Sequence, residues 1–253
     1  MLFTGCENLI GFPDIPDHQP VPVIEAILTN EPVVQKVKVS YSVSLSDSNS
    51  CRPVEEALVR VISDAGDTLE YSHQSAGWYH SGVFAASPGV IYRLEVVIGG
   101  EMYSSTGDVI EMNGIDSLHC HYEEESALGD AGYYVYMNAG EVMDDTRYYI
   151  INASCNDTLK TIGSEIWIFN DDMAESINKT KLPLSFNEGD SVTIELFSLS
   201  KAMYDYYYKL AYEVLNLDLS NISYRTNLPQ LFQPAALGYF QVSAVSRKAI
   251  VTK

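Results

Sequence analysis

The densest group of potential metal ligands lies between His119 and Glu123. His119, His121 and Glu123 alternate along a strand-like run, so their side chains are expected on one face. Two imidazoles and a carboxylate are typical ligands of zinc. The same spacing also occurs in exposed polar strands, so a zinc site and a plain polar surface are both consistent with it.

Two acidic pairs carry the oxygen ligands that calcium prefers. Asp144–Asp145 and Asp171–Asp172 lack the spacing of an EF-hand loop, so solvated loop acids are the alternative to a calcium site. The sequence contains no glycine motif for nucleotides or dinucleotides. Zinc and calcium are therefore the only cofactor hypotheses, and the prediction is that none is required.

Four aromatic residues are candidates for contact with a ligand or a partner, namely Trp78, Tyr79, Tyr204 and Tyr208. Their rings can stack on sugars or pack against another protein. Packing into the protein's own core is the alternative use of such side chains.

The cysteines show neither CxxC nor zinc-type spacing. Cys120 and Cys155 both lie in strand-like runs, and a disulfide between them would stabilise the fold by roughly 3 kcal/mol. Buried free thiols are the alternative.

Signature motifs of hydrolases, zinc proteases and nucleotide-dependent enzymes are absent from the chain. We therefore predict a protein that is not an enzyme. A hydrolase with a carboxylate pair is the alternative, because such a pair is brought together by the fold and leaves no local signature.

The elements that must position these residues are mainly β-strands. Residues 23–109 show short alternating runs, among them Val37–Leu45 and a pair of runs joined by Gly99–Gly100, which predicts a two-residue hairpin. Strands at this spacing predict an immunoglobulin-like or transthyretin-like β-sandwich.

Residues 110–253 are predicted to form a second β-sandwich that carries one helix. Asp190 is followed by a strand, then by Met203, Tyr207 and Leu210 at helical spacing, which predicts an amphipathic helix over about 200–217. Two further strands close the chain, at 237–244 and 249–251.

The formal net charge of the 253-residue chain is −19. A surface this acidic disfavours nucleic acid and anionic lipid surfaces as direct partners. No apolar run approaches the length of a membrane-spanning helix.

Residues 1–22 have the features of a lipid-anchored terminus. Small residues precede Cys6, as in a bacterial lipobox, and the Pro-rich segment 12–22 that follows is typical of an extended tether. This predicts lipidation of Cys6. An incidental cysteine in a disordered terminus is the alternative.

The whole pattern resembles one family, the Bacteroidota outer-membrane lipoproteins catalogued as domain of unknown function forty-two forty-nine. The residues that carry the resemblance run in order over almost the entire chain: Cys6–Glu7, Ile27–Asn30, Gly77–Tyr79, Pro88–Tyr92, Tyr133–Tyr134, Glu188–Glu195, Tyr204–Tyr207, Leu237–Phe240 and Ser246–Lys248.

The resemblance implies a protein anchored in the outer membrane through lipid on Cys6, facing the periplasm or the cell surface. It also implies an accessory ligand-binding role beside a TonB-dependent transporter. A structural or adhesive surface module, such as a stalk or a fimbria-like subunit, is the alternative function. The family provides no catalytic residues to transfer.

Overall fold

The computed structural model describes residues 19–43, 51–126, 129–140, 147–160, 166–170, 180–215 and 227–253. These residues form a mainly β protein with seventeen strands and one helix, and the strands are divided among three sheets. This confirms the predicted fold class.

The first sandwich is a single nine-stranded sheet packed around one core, and all but one of its strands are N-terminal. The N-terminal strands are β1 Pro22–Thr29, β2 Val33–Tyr41, β3 Arg52–Pro53, β4 Leu58–Ser63, β5 Thr68–Ser75, β6 Trp78–Phe84, β7 Ile91–Ile98 and β8 Glu101–Asp108. Alternation is preserved in β2, where Val37 and Val39 are buried and Lys36 and Lys38 face outward.

The Gly99–Gly100 hairpin between β7 and β8 forms as predicted. Both glycines have positive φ, +59° and +90°, which is the backbone conformation of a type I′ turn. The resulting ladder pairs Ile91–Ile98 with Glu101–Asp108.

The second unit is also a sandwich. Its strands are β9 Ile115–Glu123, β10 Gly132–Ala139, β11 Tyr148–Cys155, β12 Thr158–Leu159, β13 Trp167–Asn170, β14 Thr180–Phe186, β15 Ser191–Leu199 and β17 Val245–Val251. One sheet has the order β14-β10-β9, and the other has β12-β11-β15-β17 with β13 also paired to β11. Apolar side chains from both sheets share one core.

Helix α1, Lys201–Leu215, packs on the outer face of the second of these sheets. Ser200 caps its N-terminus, because the Ser200 hydroxyl accepts a hydrogen bond from the Met203 amide at 3.3 Å. Met203 and Tyr207 are buried against Ile150 and Phe197, which confirms the buried helix face predicted from spacing.

Strand β16, Leu237–Ser243, lies within the predicted second domain, residues 110–253, but pairs with the first sheet. It runs parallel to β1 at the edge of the first sheet, with Leu237 opposite Val23 and Ser243 opposite Thr29. Its residues Phe240 and Val242 belong to the first core. The first sandwich therefore receives its last strand only near the end of the chain, after β9 to β15 and α1, and β17 then returns to the second sandwich beside β15.

Candidate binding site at the junction of the two sandwiches

The predicted zinc ligands share one face of β9, as expected, but each has a partner within the protein. His119 Nε2 lies 2.9 Å from Asn138 Nδ2. The ring of His121 packs edge-on against Tyr136 at 5.7 Å. Among the described residues, no three His, Cys, Asp or Glu side chains are placed to hold an ion.

Glu123 accepts two hydrogen bonds on this face. Its carboxylate pairs with Lys181 Nζ at 2.5 Å and accepts the Tyr136 hydroxyl at 2.5 Å. The hydrogen bond from Lys181 lowers the pKa of Glu123, and that from Tyr136 lowers it further. The carboxylate is thus engaged by a cation and a hydroxyl rather than left open for a metal. The two acidic pairs Asp144–Asp145 and Asp171–Asp172 lie outside the described residues.

Cys120 and Cys155 are free thiols, which corrects the predicted disulfide. They lie in opposite sheets of the second sandwich, on β9 and at the end of β11. The Cys120 thiol faces the Lys253 carbonyl at 3.8 Å. Cys155 is buried, and this burial raises the pKa of its thiol.

The four candidate aromatics divide between surface and core. Trp78 is 40% exposed beneath Lys38, and Tyr208 is 55% exposed on α1. Tyr79 is 1% exposed; its hydroxyl donates to the Val54 carbonyl and accepts from the Ala57 amide, both at 2.9 Å. The prediction that Tyr79 faces a ligand is therefore wrong, because the side chain is buried and its hydroxyl hydrogen-bonds the loop at Val54 and Ala57.

Tyr204 is also buried, which again corrects the prediction of a ligand-facing ring. Its ring packs against Tyr148 at a centroid distance of 4.7 Å and against Tyr208 at 6.2 Å. Within this group, only Tyr208 and Trp78 offer substantial surface to another molecule.

A pocket of about 190 Å³ lies where the two sandwiches meet. Its floor is the outer face of β1 and β16, and its opposite wall is the outer face of β11 and β15, with a tyrosine from α1 at one side. The lining residues are Ile27, Ile150, Ile151, Asn152, Ile166, Phe197, Tyr207, Tyr239 and Gln241. Clefts with apolar walls and a few convergent polar groups, especially at domain interfaces, are the usual form of small-molecule sites.

A buried hydrogen-bond chain runs from this pocket into the joint between the sandwiches. The Tyr207 hydroxyl donates to Gln241 Oε1 at 2.8 Å, and Gln241 Nε2 donates to Ser243 Oγ at 2.9 Å. Ser243 then donates to the Ser198 carbonyl at 2.5 Å. Gln241 is only 2% exposed, so this chain fixes β16 against β15 and α1 with its polar groups satisfied.

The tyrosines of the pocket are held in their protonated form. Burial raises the pKa of Tyr207 well above its ordinary value, and it raises the pKa of Tyr206, whose ring packs against Tyr207 outside the pocket lining, to about 12. Burial also raises the pKa of Tyr239, and the negative charge of Glu25 raises it further. Glu25 lies opposite Tyr239 on the neighbouring strand β1.

The sequence pattern does not single out the polar members of this site. Tyr207 was predicted only as part of the buried helix face, and β16 only as a strand. The available signal was Gln241 between Phe240 and Val242, since a polar side chain inside an apolar strand run needs a buried partner.

A second cleft, of about 430 Å³, lies beside Tyr134 and Lys181 in the β14-β10-β9 sheet. Lys181 Nζ sits 3.7 Å above the Tyr134 ring while it pairs with Glu123. Its cation is therefore already engaged. The junction pocket is the better candidate because it places hydroxyl and amide groups between apolar walls.

Comparison with known proteins gives one family. The profile of a family described as domain of unknown function (DUF4249) matches residues 12–249. No curated protein matches the chain in sequence. Among solved structures, a two fibronectin type-III domain segment from chicken tenascin is 12% identical, with 71% of this chain and 91% of that chain covered at a TM-score of 0.21.

Proposed function

We propose, from the premise that the chain belongs to the DUF4249 family of domains of unknown function, that it is a non-catalytic ligand-binding protein of the bacterial cell envelope. In this proposal a lipid on Cys6 anchors it in the outer membrane of a member of the Bacteroidota, on the periplasmic side or at the cell surface. It acts there as an accessory to a TonB-dependent transporter.

The lining of the junction pocket supports a binding role rather than a catalytic one. Its polar groups are two tyrosines and two amides, from Tyr207, Tyr239, Asn152 and Gln241. Both tyrosines have raised pKa values, and amides do not titrate. General acid–base catalysis requires a group whose pKa lies near the working pH, and these four do not supply one.

Chain geometry supports a tether. Fifteen residues lie between Cys6 and Pro22, the first residue of β1, and such a segment spans at most about 55 Å when fully extended. The first sandwich would therefore stay close to the membrane surface. No helix among the described residues is long and apolar enough to cross a membrane.

Charge supports a partner that is not nucleic acid. With a net charge of −19, the chain is repelled by phosphate backbones, and its long-range field favours cationic or neutral surfaces.

The test is affinity purification of the protein from its native host, after the outer membrane is solubilised in a mild detergent. We expect a TonB-dependent transporter to be recovered with it. Recovery of the intact, lipid-bearing protein without any transporter would contradict the accessory role.

A structural or adhesive surface module is the second candidate, and an exposed apolar row favours it. Leu58, Val97 and Met102 are register neighbours across β4, β7 and β8, and Leu58 and Met102 are 74% and 50% exposed. This candidate predicts polymerisation or matrix binding in place of a transporter. A hydrolase with a carboxylate pair is the third, and turnover of broad glycan and peptide panels would reveal it.

A further inference from the structure

The junction pocket has the size of a single-ring ligand. Engineered apolar cavities of about 150 Å³ accept benzene, and this pocket measures about 190 Å³. Ile27, Ile150 and Phe197 supply side chains from three different strands, β1, β11 and β15. A flat apolar ring therefore fits by volume and by the chemistry of the walls.

The pocket also has hydrogen-bonding capacity for a ligand. The Tyr207 hydroxyl uses its proton on Gln241 Oε1, which leaves its oxygen able to accept. Tyr239 lies beside it, with ring centroids 5.7 Å apart. Both tyrosines line the same pocket. One ligand hydroxyl can bridge them, donating to Tyr207 and accepting from Tyr239.

The electrostatics of the pocket select a neutral ligand. None of the lining residues carries a charge. The pKa values of Tyr207 and Tyr239 are raised first by burial, and the charge of Glu25 raises both further. The same negative charge disfavours an anion at this place, and a buried anion without a cation partner is costly in any case.

We infer that the junction pocket binds a small neutral ring compound that bears one hydroxyl group, with the hydroxyl between Tyr207 and Tyr239 and the ring against Ile27, Ile150 and Phe197. This inference rests on the proposed binding role and specifies the ligand class for that same site.

The experiment uses three probes of one shape, measured by titration calorimetry on the purified protein. They are p-cresol, toluene, which lacks the hydroxyl, and 4-methylbenzoate, which carries a charge. We expect p-cresol to bind about a hundredfold more tightly than toluene, at about tenfold for each of the two hydrogen bonds that its hydroxyl makes. We expect 4-methylbenzoate to bind more weakly than either.

Two variants locate the site. Tyr239→Phe should lower the affinity for p-cresol about tenfold and leave toluene unchanged, because it removes the donor and keeps the ring. Ile150→Phe should abolish binding of both by filling the pocket. The matched control is Tyr208→Phe on the exposed face of α1, which should change neither.

Three results would overturn the inference: no binding of p-cresol to the wild-type protein, equal p-cresol affinity of Tyr239→Phe and wild type, or equal affinity for 4-methylbenzoate and p-cresol. Each of these refutes the ligand class while recovery of a transporter from native membranes still tests the accessory role separately. A protein that binds p-cresol as described but recovers no transporter would retain the pocket assignment and lose the accessory role.

Discussion

Replacement of Gly238 by alanine should damage the fold far more than replacement of an ordinary turn glycine. Gly238 lies in β16 with φ +100°, and a Cβ built there would lie 2.0 Å from the carbonyl oxygen of Ile24 on the parallel neighbour β1. The obstructing atom belongs to the backbone, so it cannot rotate away. The two strands would have to separate by about 1 Å to reach a contact that real side chains make.

The magnitude has two parts. Left-handed backbone costs a residue with a Cβ roughly 1–2 kcal/mol. Separating the strands breaks two or three hydrogen bonds of the β1–β16 ladder, at about 1 kcal/mol each. We therefore expect Gly238→Ala to lower the free energy of unfolding by about 3–5 kcal/mol.

Gly66→Ala provides the matched control. Gly66 has nearly the same φ, +95°, but no atom lies within 4 Å of the position that a Cβ would take. This variant should incur the backbone strain alone, roughly 1–2 kcal/mol. The difference between the two losses in the free energy of unfolding therefore reports the contact between β16 and β1 alone.

The assay is urea unfolding followed by tryptophan fluorescence. The chain has two tryptophans, Trp78 in the first sandwich and Trp167 in the second, so both units are reported. If Gly238→Ala loses no more stability than Gly66→Ala, the close approach of β16 to β1 is wrong, and with it the placement of β16 in the first sandwich.

Three further predictions concern the buried hydrogen-bond chain, the stability of the protein at low pH and the metal hypothesis. Gln241→Leu leaves the Tyr207 hydroxyl without its acceptor and should lower the free energy of unfolding in urea by about 2–4 kcal/mol. The double variant with Tyr207→Phe should lose less stability than the sum of the two single losses. Strict additivity would contradict the hydrogen bond. A hydrogen bond from the Asn187 amide lowers the pKa of Asp190. The ionised carboxylate therefore stabilises the fold fully above the unfolded pKa of about 3.9, and this stabilisation is lost as the pH falls through the lower pKa of the folded state. The urea midpoint of wild type should therefore fall more steeply below about pH 4 than that of Asp190→Asn, and equal slopes would refute this. Zinc at micromolar concentration should give no binding heat with wild type, because the carboxylate of that face is paired; a wild-type signal lost in His119→Ala would reverse this conclusion.

Periodicity predicted the elements well, because it reports burial of one face. The spacing of Met203, Tyr207 and Leu210 predicted α1, and alternation predicted β16 as a strand. Alternation does not say which strand lies alongside. The parallel pairing of β16 with β1 joins segments more than two hundred residues apart, and nothing local in Leu237–Ser243 encodes that neighbour.

The site was harder to predict for the same reason. Alternation correctly placed His119 and Glu123 on one face, but the Lys181 that occupies the carboxylate comes from another strand, 58 residues away. Likewise Tyr207 and Gln241 are 34 residues apart. Hydrogen-bond partners are set by tertiary packing, so sequence spacing shows the polar group without showing what satisfies it.

The functional proposal depends first on the anchor, and labelling of Cys6 with an alkyne fatty acid tests it most directly. The protein is expressed from its own gene in its native host, as wild type, Cys6→Ser and the matched control Cys51→Ser, and each is fractionated. We predict lipid label and outer-membrane recovery for wild type and Cys51→Ser, and loss of both in Cys6→Ser. A wild-type protein that carries no lipid and remains in the aqueous fraction would contradict the account.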